Sequence, residues 1–131
     1  MAWGAATFGF GLPRVDLLRD IAVLLVGAVA EEIVFRAGLQ RALGRWPSLA
    51  GRRIGPLSAA NLLTSLLFAL VHLWQHPPLA AAGVVPVSWL LGWVYERGGE
   101  RLAPPTLLHG YFNATLYAST LALGAVGAVP R

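Results

Sequence analysis

The sequence predicts an all-α fold: a polytopic membrane bundle of about four transmembrane helices behind a short N-terminal interfacial segment. Three observations predict it. Of 131 residues, 56% are hydrophobic and only 12% charged, with a mean hydropathy of +0.63, well outside the composition of soluble domains. Four apolar stretches are separated by turns rich in proline, glycine and arginine. Three of those stretches carry polar or titratable side chains at helical spacing: Glu31-Glu32 with Arg36, Phe68 with His72, and His109 with Asn113. Charges in hydrocarbon are costly, so those that persist face a bundle interior, pair with one another and mark function.

The elements follow in order, within a single domain over residues 1–131. Residues 1–16, with Trp3, Phe8 and Phe10 among glycines and prolines, read as an interfacial lead-in rather than a fifth span. The first span opens near Leu17. Its unbroken apolar run, Ile21 to Ala30, is too short for a ~30 Å core that takes roughly 20 residues. A spanning helix must therefore include Glu31 and Glu32, continue through Ile33, Val34, Phe35, Ala37 and Leu39, and leave the membrane near Arg41, Arg45 and Trp46. Arg52, Arg53, Gly55 and Pro56 form a basic loop, and Pro56 and Ser58 suit the opening of the next helix.

That second helix runs from about Ala59 to Trp74 and stops at Pro77-Pro78. The third, roughly Leu79 to Tyr95, contains Pro86 and should kink there, because proline removes a backbone donor and clashes with the preceding turn. Glu96 to Arg101, with Gly98-Gly99, is a polar turn. Pro104-Pro105 opens a fourth helix that continues through Leu123 and carries His109 and Asn113.

Charge sets topology. All ten basic residues are arginine, and they give a net charge of +4, but they lie between apolar runs rather than along a stripe. This excludes a nucleic-acid surface as the natural reading. The loop with Arg41, Arg45, Arg52 and Arg53 and the turn with Arg97 and Arg101 should both be cytoplasmic in a multi-pass protein of the cell (inner) membrane; Arg14 and Arg19 on the other side are offset by Asp16 and Asp20. Trp46, Trp74 and Tyr95 fall at span ends, where interfacial aromatics belong. Absent cysteine excludes disulfides and thiolate chemistry. Arg14, Arg19 and the run ending Ala28-Val29-Ala30 imitate a signal peptide. Asp16 and Asp20 argue against it, and cleavage there would discard the helix that presents the glutamates.

Residues four apart share a helical face. Glu32 and Arg36 are so placed, as are Phe68 and His72, and His109 and Asn113. Glu31 points about 100° away from Glu32, so Glu32 is expected to pair with Arg36, leaving Glu31 to meet the histidines. Counting helical rise from the cytoplasmic ends sets Glu31 and His72 at about 20 Å, His109 at about 10 Å and Asn113 at about 15 Å. Tilt or a longer start to the fourth helix must close that gap.

Such a set supports two mechanisms. In one, Glu31 takes a proton from water, His72 helps position that water, and His109 with Asn113 donates to the developing oxyanion. In the other, Glu31, His72 and His109 hold Zn2+ with an open fourth position. The sequence has no His-Glu-x-x-His helix, and Asn113 suits oxyanion donation, so the metal-free mechanism with no cofactor is favoured.

Glu31-Glu32-Ile33-Val34-Phe35-Arg36, Phe68-Ala69-Leu70-Val71-His72 and His109-Gly110-Tyr111-Phe112-Asn113 resemble, in order, the EExxxR, FxxxH and HxxxN motifs of the CPBP family of intramembrane proteases. That family groups type II CAAX prenyl endopeptidases with bacterial bacteriocin-processing and self-immunity proteins. The resemblance spans Glu31 to Asn113 and describes a minimal catalytic core. It implies peptide-bond hydrolysis in or near the membrane, with Glu31 as base, His72 assisting, and His109 and Asn113 stabilising the oxyanion. Glu32, Arg36 and Phe68 match the supporting positions. The implied substrate is a membrane-anchored or lipidated protein or peptide in the lipid bilayer. A second copy or a partner membrane protein is the remaining candidate partner.

The competing reading gives the same side chains structural work. Glu32 with Arg36 is then a buried pair, and His72, His109 and Asn113 are interhelical hydrogen-bonding residues in a non-catalytic membrane protein, such as an immunity factor. His76 reads as solvated, Glu96 and Glu100 as part of a polar loop, and Trp89 with Trp93 as packing or lipid-facing residues. Asn113-Ala114-Thr115 matches a glycosylation acceptor only formally.

Overall fold

The structure is a computed structural model that describes residues 7–8, 12–13 and 16–127. Strands β1 (Thr7–Phe8) and β2 (Leu12–Pro13) pair antiparallel, Thr7 opposite Pro13 and Phe8 opposite Leu12. The rest of the expected lead-in before Asp16 lies outside the described residues.

Helix α1 (Leu17–Glu32) begins where the Asp16 carboxylate accepts from the Arg19 amide at 3.2 Å, satisfying one of the donors a helix start leaves open. It passes without a break into a π-helical run, Ile33–Gln40, and then into α2 (Arg41–Arg45). Ile33 and Arg41, at the two junctions, keep right-handed helical backbone. A hairpin of β3 (Arg53–Ile54) and β4 (Leu57–Ser58) follows, with Gly55 at φ +58° in its turn. Only a residue without a Cβ adopts that angle freely.

Ser58 then caps α3 (Ala59–His72) by accepting from the Asn61 amide at 2.9 Å. Helix α4 (Pro78–Arg97) opens on Pro78 and continues past Pro86; α5 (Ala103–Gly127) follows a turn in which Gly99 and Glu100 both have positive φ. The all-α expectation therefore holds, with three boundary corrections. The second helix ends at His72 rather than Trp74, the third runs to Arg97 rather than Tyr95, and the last continues past Leu123.

The molecule is built inside out. Glu32, Arg36, Gln40, Asn61, Thr64, Ser65 and Ser88 are buried, whereas Leu18 is 82%, Leu79 87% and Trp74 91% exposed. Water would favour the reverse. Against hydrocarbon this arrangement is the stable one, since polar groups must find partners inside the protein. Helix α3 packs on α4, α1 on α5, and α4 on α5, with the π run against α3.

Helix α4 alone, among the described residues, is long and apolar enough by itself to cross a membrane, and only 28% of its apolar window is buried inside the protein. Four spans of standard length do not follow from the helices. At 14 residues α3 is short against the roughly 20 that a crossing takes. The first helix reaches spanning length only by taking in Glu31, Glu32 and Arg36.

The two arginine-rich segments meet at one end. Arg41 Nε lies 3.0 Å and Arg45 Nη2 3.7 Å from Glu100 Oε2, and Arg53 Nη1 lies 3.8 Å from Glu96 Oε2. Such exposed pairs add little stability, but they join α2 and the β3–β4 hairpin to the end of the 78–97 helix and the turn after it.

Gly92 is the tightest point in this packing. A Cβ there would lie 2.2 Å from Asn61 Oδ1 and 2.7 Å from Gln40 Oε1. Both atoms belong to a hydrogen-bonded network, so neither side chain can swing away without breaking bonds. Gly92→Ala should destabilise the protein by about 1–3 kcal/mol, the usual cost of overpacking. Thermal unfolding in detergent checks this, and a melting temperature equal to that of the unaltered protein would show that α4 has room to move.

Candidate active site

A ladder of buried polar side chains at four-residue spacing organises the first helix: Glu32, Arg36 and Gln40, exposed by 0%, 0% and 2%. In a regular α-helix residues four apart drift by about 40° per step. The wider turn of the π run beginning at Ile33 offsets that drift and keeps all three toward the interior. Such π segments are rare and recur at functional sites.

Arg36 is the centre of the ladder. Its Nε donates to Glu32 Oε2 at 3.1 Å, Nη1 to Gln40 Oε1 at 3.0 Å and Nη2 to Ser88 Oγ at 2.9 Å. Gln40 Nε2 donates to the Gly92 carbonyl at 3.1 Å and to Glu96 Oε1 at 2.8 Å, and Ser58 Oγ also donates to Glu96. On α3, Asn61 Nδ2 donates to the Trp89 carbonyl at 2.9 Å and Ser65 Oγ to Asn61 Oδ1 at 3.2 Å. Three helices are thereby tied by bonds that neither lipid nor water has to supply.

The other end of the ladder reaches α5. His109, 6% exposed, has Nδ1 2.9 Å from Glu32 Oε1 and Nε2 3.5 Å from Glu31 Oε2. Glu32 thus holds both Arg36 and His109. Glu32 Oε2 accepts from Arg36 and its Oε1 is read as the acceptor of the ring N–H, so Nδ1 carries the hydrogen and Nε2 is the ring atom turned toward Glu31. The Glu31 side chain is 39% exposed and open to an incoming molecule. Its neighbour Glu32 is sealed.

Phe68 is buried at 3% exposure and joins the remaining motif residues. Its ring lies 4.8 Å from Phe35, 4.3 Å from His72 and 6.2 Å from His109, with the Arg36 guanidinium 5.9 Å from its centroid. His72 is the last residue of α3, half-buried, with Nδ1 2.8 Å from the Phe68 carbonyl oxygen. That bond makes Nδ1 the donor and leaves Nε2 free to accept. Asn113 sits one turn beyond His109 on α5, half-buried, with no side-chain hydrogen bond among the described residues.

The structure therefore brings Glu31, Glu32, Arg36 and His109 into one cluster. His72 adjoins it through Phe68, and Asn113 follows along α5. The expected depth gap between the two histidines narrows to a shared neighbour, since the rings of both lie against Phe68. Glu32 differs from the expectation of a simple pair with Arg36 in that one of its oxygens is given to His109. Among the described residues no three His, Asp or Glu side chains converge on a point that could hold a metal ion.

Sequence reasoning missed several members of this network. Gln40, Ser88, Gly92 and Asn61 carry no expected role, and Glu96, expected in a polar turn, lies in the last turn of α4, where it accepts from Gln40. A signal was present: Ser88, Gly92 and Glu96 repeat the same four-residue period that Glu32, Arg36 and Gln40 follow. Tyr95 is likewise corrected from interfacial anchor to buried residue at 1% exposure. His76 is exposed, as expected, though its ring stacks on His72 at 5.8 Å.

The sequence profile of the family described as type II CAAX prenyl endopeptidase Rce1-like matches residues 13–115, which include every residue of the cluster. No curated protein and no solved structure matches the chain.

Proposed function

The chain belongs to the Rce1-like family of type II CAAX prenyl endopeptidases, and on that premise we propose that it is an intramembrane endopeptidase that uses a water activated by Glu31. Its substrate is a membrane-anchored or lipidated protein, cut near the chain end. The family implies a membrane-embedded protease of the CAAX type; the glutamate chemistry and the roles below are our reading. One observation supports it above the rest: His109 lies buried between two carboxylates, 2.9 Å from sealed Glu32 and 3.5 Å from accessible Glu31.

In this mechanism Glu31 removes a proton from water as its oxygen attacks the scissile carbonyl carbon. Nε2 of His72 accepts the other hydrogen of that water and orients it. The proton on Glu31 passes to His109 Nε2 across the short gap, and the imidazolium then donates to the oxyanion together with the Asn113 amide. Collapse of the tetrahedral intermediate breaks the C–N bond, and the proton leaves with the amine. Glu32 keeps His109 in the required tautomer and orientation throughout, and Arg36 holds Glu32 in place.

The apolar exterior supports a multi-pass arrangement in the cell membrane. The helix from Leu17 to Arg45 and helices α4 and α5 cross it, the short α3 is completed by its flanking turns, and the arginine-rich end faces the cytoplasm.

The test is a cleavage assay on the purified full chain in detergent with prenylated and otherwise membrane-anchored peptides. Cleavage near the peptide's end that persists after exhaustive chelation is the expected result. Loss on chelation with recovery on added zinc would replace the glutamate mechanism by a metal one. A folded protein that cleaves none of the panel would favour the non-catalytic reading, in which the Glu32–Arg36–Gln40–Ser88 network serves only to join helices.

A further inference from the structure

A half-open cavity of about 270 Å³ lies at the end of the molecule where the arginine-rich segments meet, away from Glu31 and His109. Arg45, Arg52, Arg53, Tyr95, Glu96 and Glu100 contribute to its wall. Its two carboxylates are already engaged. Glu100 is held by Arg41 at 3.0 Å and Arg45 at 3.7 Å, and Glu96 accepts from Gln40 and Ser58 with Arg53 3.8 Å away. The Arg52 side chain has no ion pair or hydrogen bond among the described residues. Three guanidinium groups and two carboxylates thus line the cavity, with Arg41 beside Glu100, and the surplus charge is positive.

The second observation is Tyr95. It is 1% exposed, and its hydroxyl is buried with no hydrogen-bond partner. Glu100, Arg41 and Arg45, the charges around this cavity, act electrostatically on that hydroxyl. Buried polar groups without partners are rare and costly. The phenol lacks an acceptor, and the surplus of guanidinium groups beside it favours an anionic one.

We propose that this cavity binds a phosphate group, with Arg52 and the Tyr95 hydroxyl as donors. Arginine recognises phosphate through paired N–H bonds, and the hydroxyl adds a neutral donor directed by packing. The phosphate comes from an anionic lipid headgroup or from a free phosphate ion. Trp46, 59% exposed at the end of α2, marks this end as interfacial and brings the headgroup layer to the cavity. This inference does not depend on the catalytic reading, since none of the proposed catalytic residues lines the cavity.

The full chain in neutral detergent is titrated with inorganic phosphate, and in parallel is reconstituted in vesicles of phosphatidylcholine alone or with added phosphatidylglycerol. Thermal unfolding and the dissociation constant for a fluorescent phosphatidylglycerol are read. We expect a higher melting temperature with the phosphate source, and about tenfold weaker binding in Arg52→Gln and in Tyr95→Phe, the effect of losing one hydrogen bond to a charged group. Tyr95→Phe should be at least as stable as the unaltered chain when no phosphate is present, because its orphaned hydroxyl is gone. A response to phosphatidylglycerol but not to inorganic phosphate assigns the site to a lipid headgroup, and an equal response to both assigns it to the phosphate ion. No response to either source, or an unchanged response in both variants, overturns the proposal.

Discussion

Glu31→Gln is expected to lower peptide cleavage by about 10²–10⁴-fold, the range over which general-base catalysis contributes, with little change in stability. The amide keeps the size of the side chain, and Glu31 is partly open to solvent at 39% side-chain exposure, so little packing is disturbed. What it loses is the ability to take a proton from water. The same substitution at Glu32 should behave differently. Glu32 is sealed and shared between Arg36 and His109, so Glu32→Gln should lower both activity and melting temperature. Cleavage rates and unfolding curves on the two variants check this. Equal loss of stability in both, or full activity in Glu31→Gln, would remove Glu31 from the role of base.

Arg36→Leu is expected to destabilise the protein by about 3–5 kcal/mol, because removing one partner of a buried ion pair leaves the other charge uncompensated. The side chain uses three nitrogens on three acceptors, Glu32, Gln40 and Ser88, and is itself fully buried. Arg36→Lys should recover only part of the loss, since a single ammonium on a flexible stem cannot reproduce the planar fork. Adding Glu32→Gln to Arg36→Leu should restore stability relative to Arg36→Leu alone by removing the orphaned charge, though not activity, because His109 then loses its ionic anchor. Denaturant unfolding in detergent measures all three. A cost below about 1 kcal/mol for Arg36→Leu, the level of an exposed pair, would mean that water reaches the ladder.

Much of this was legible in the residues themselves. The helices could be placed from the punctuation of Pro56, Pro77-Pro78 and Pro104-Pro105, and from apolar runs between them, because proline and glycine act locally whatever the chain does elsewhere. The candidate cluster was legible for a related reason. Glu31, Glu32, Arg36, His72, His109 and Asn113 stand in apolar sequence, where an isolated charge has a high cost, so each had to be expected in an interior.

The partners inside that interior were not legible. Gln40, Ser88 and Asn61 are ordinary residues whose burial is invisible until helices are packed, and the π run at Ile33–Gln40 has no local signal that distinguishes it from an α-helix. Tyr95 shows the same limit from the other side. Read at a helix end it belonged at the interface, yet it is enclosed.

The amino-acid sequence by itself determined that this chain is helical, greasy outside and charged within, and it singled out the polar side chains of the candidate site, because hydrophobic period and the cost of bare charge depend on neighbours along the chain. Only the tertiary structure decided that one carboxylate, Glu32, serves both Arg36 and His109 while Glu31 stays accessible. That division depends on the rotation of one helix against three others, and rotation is set by side-chain packing between segments far apart in the chain.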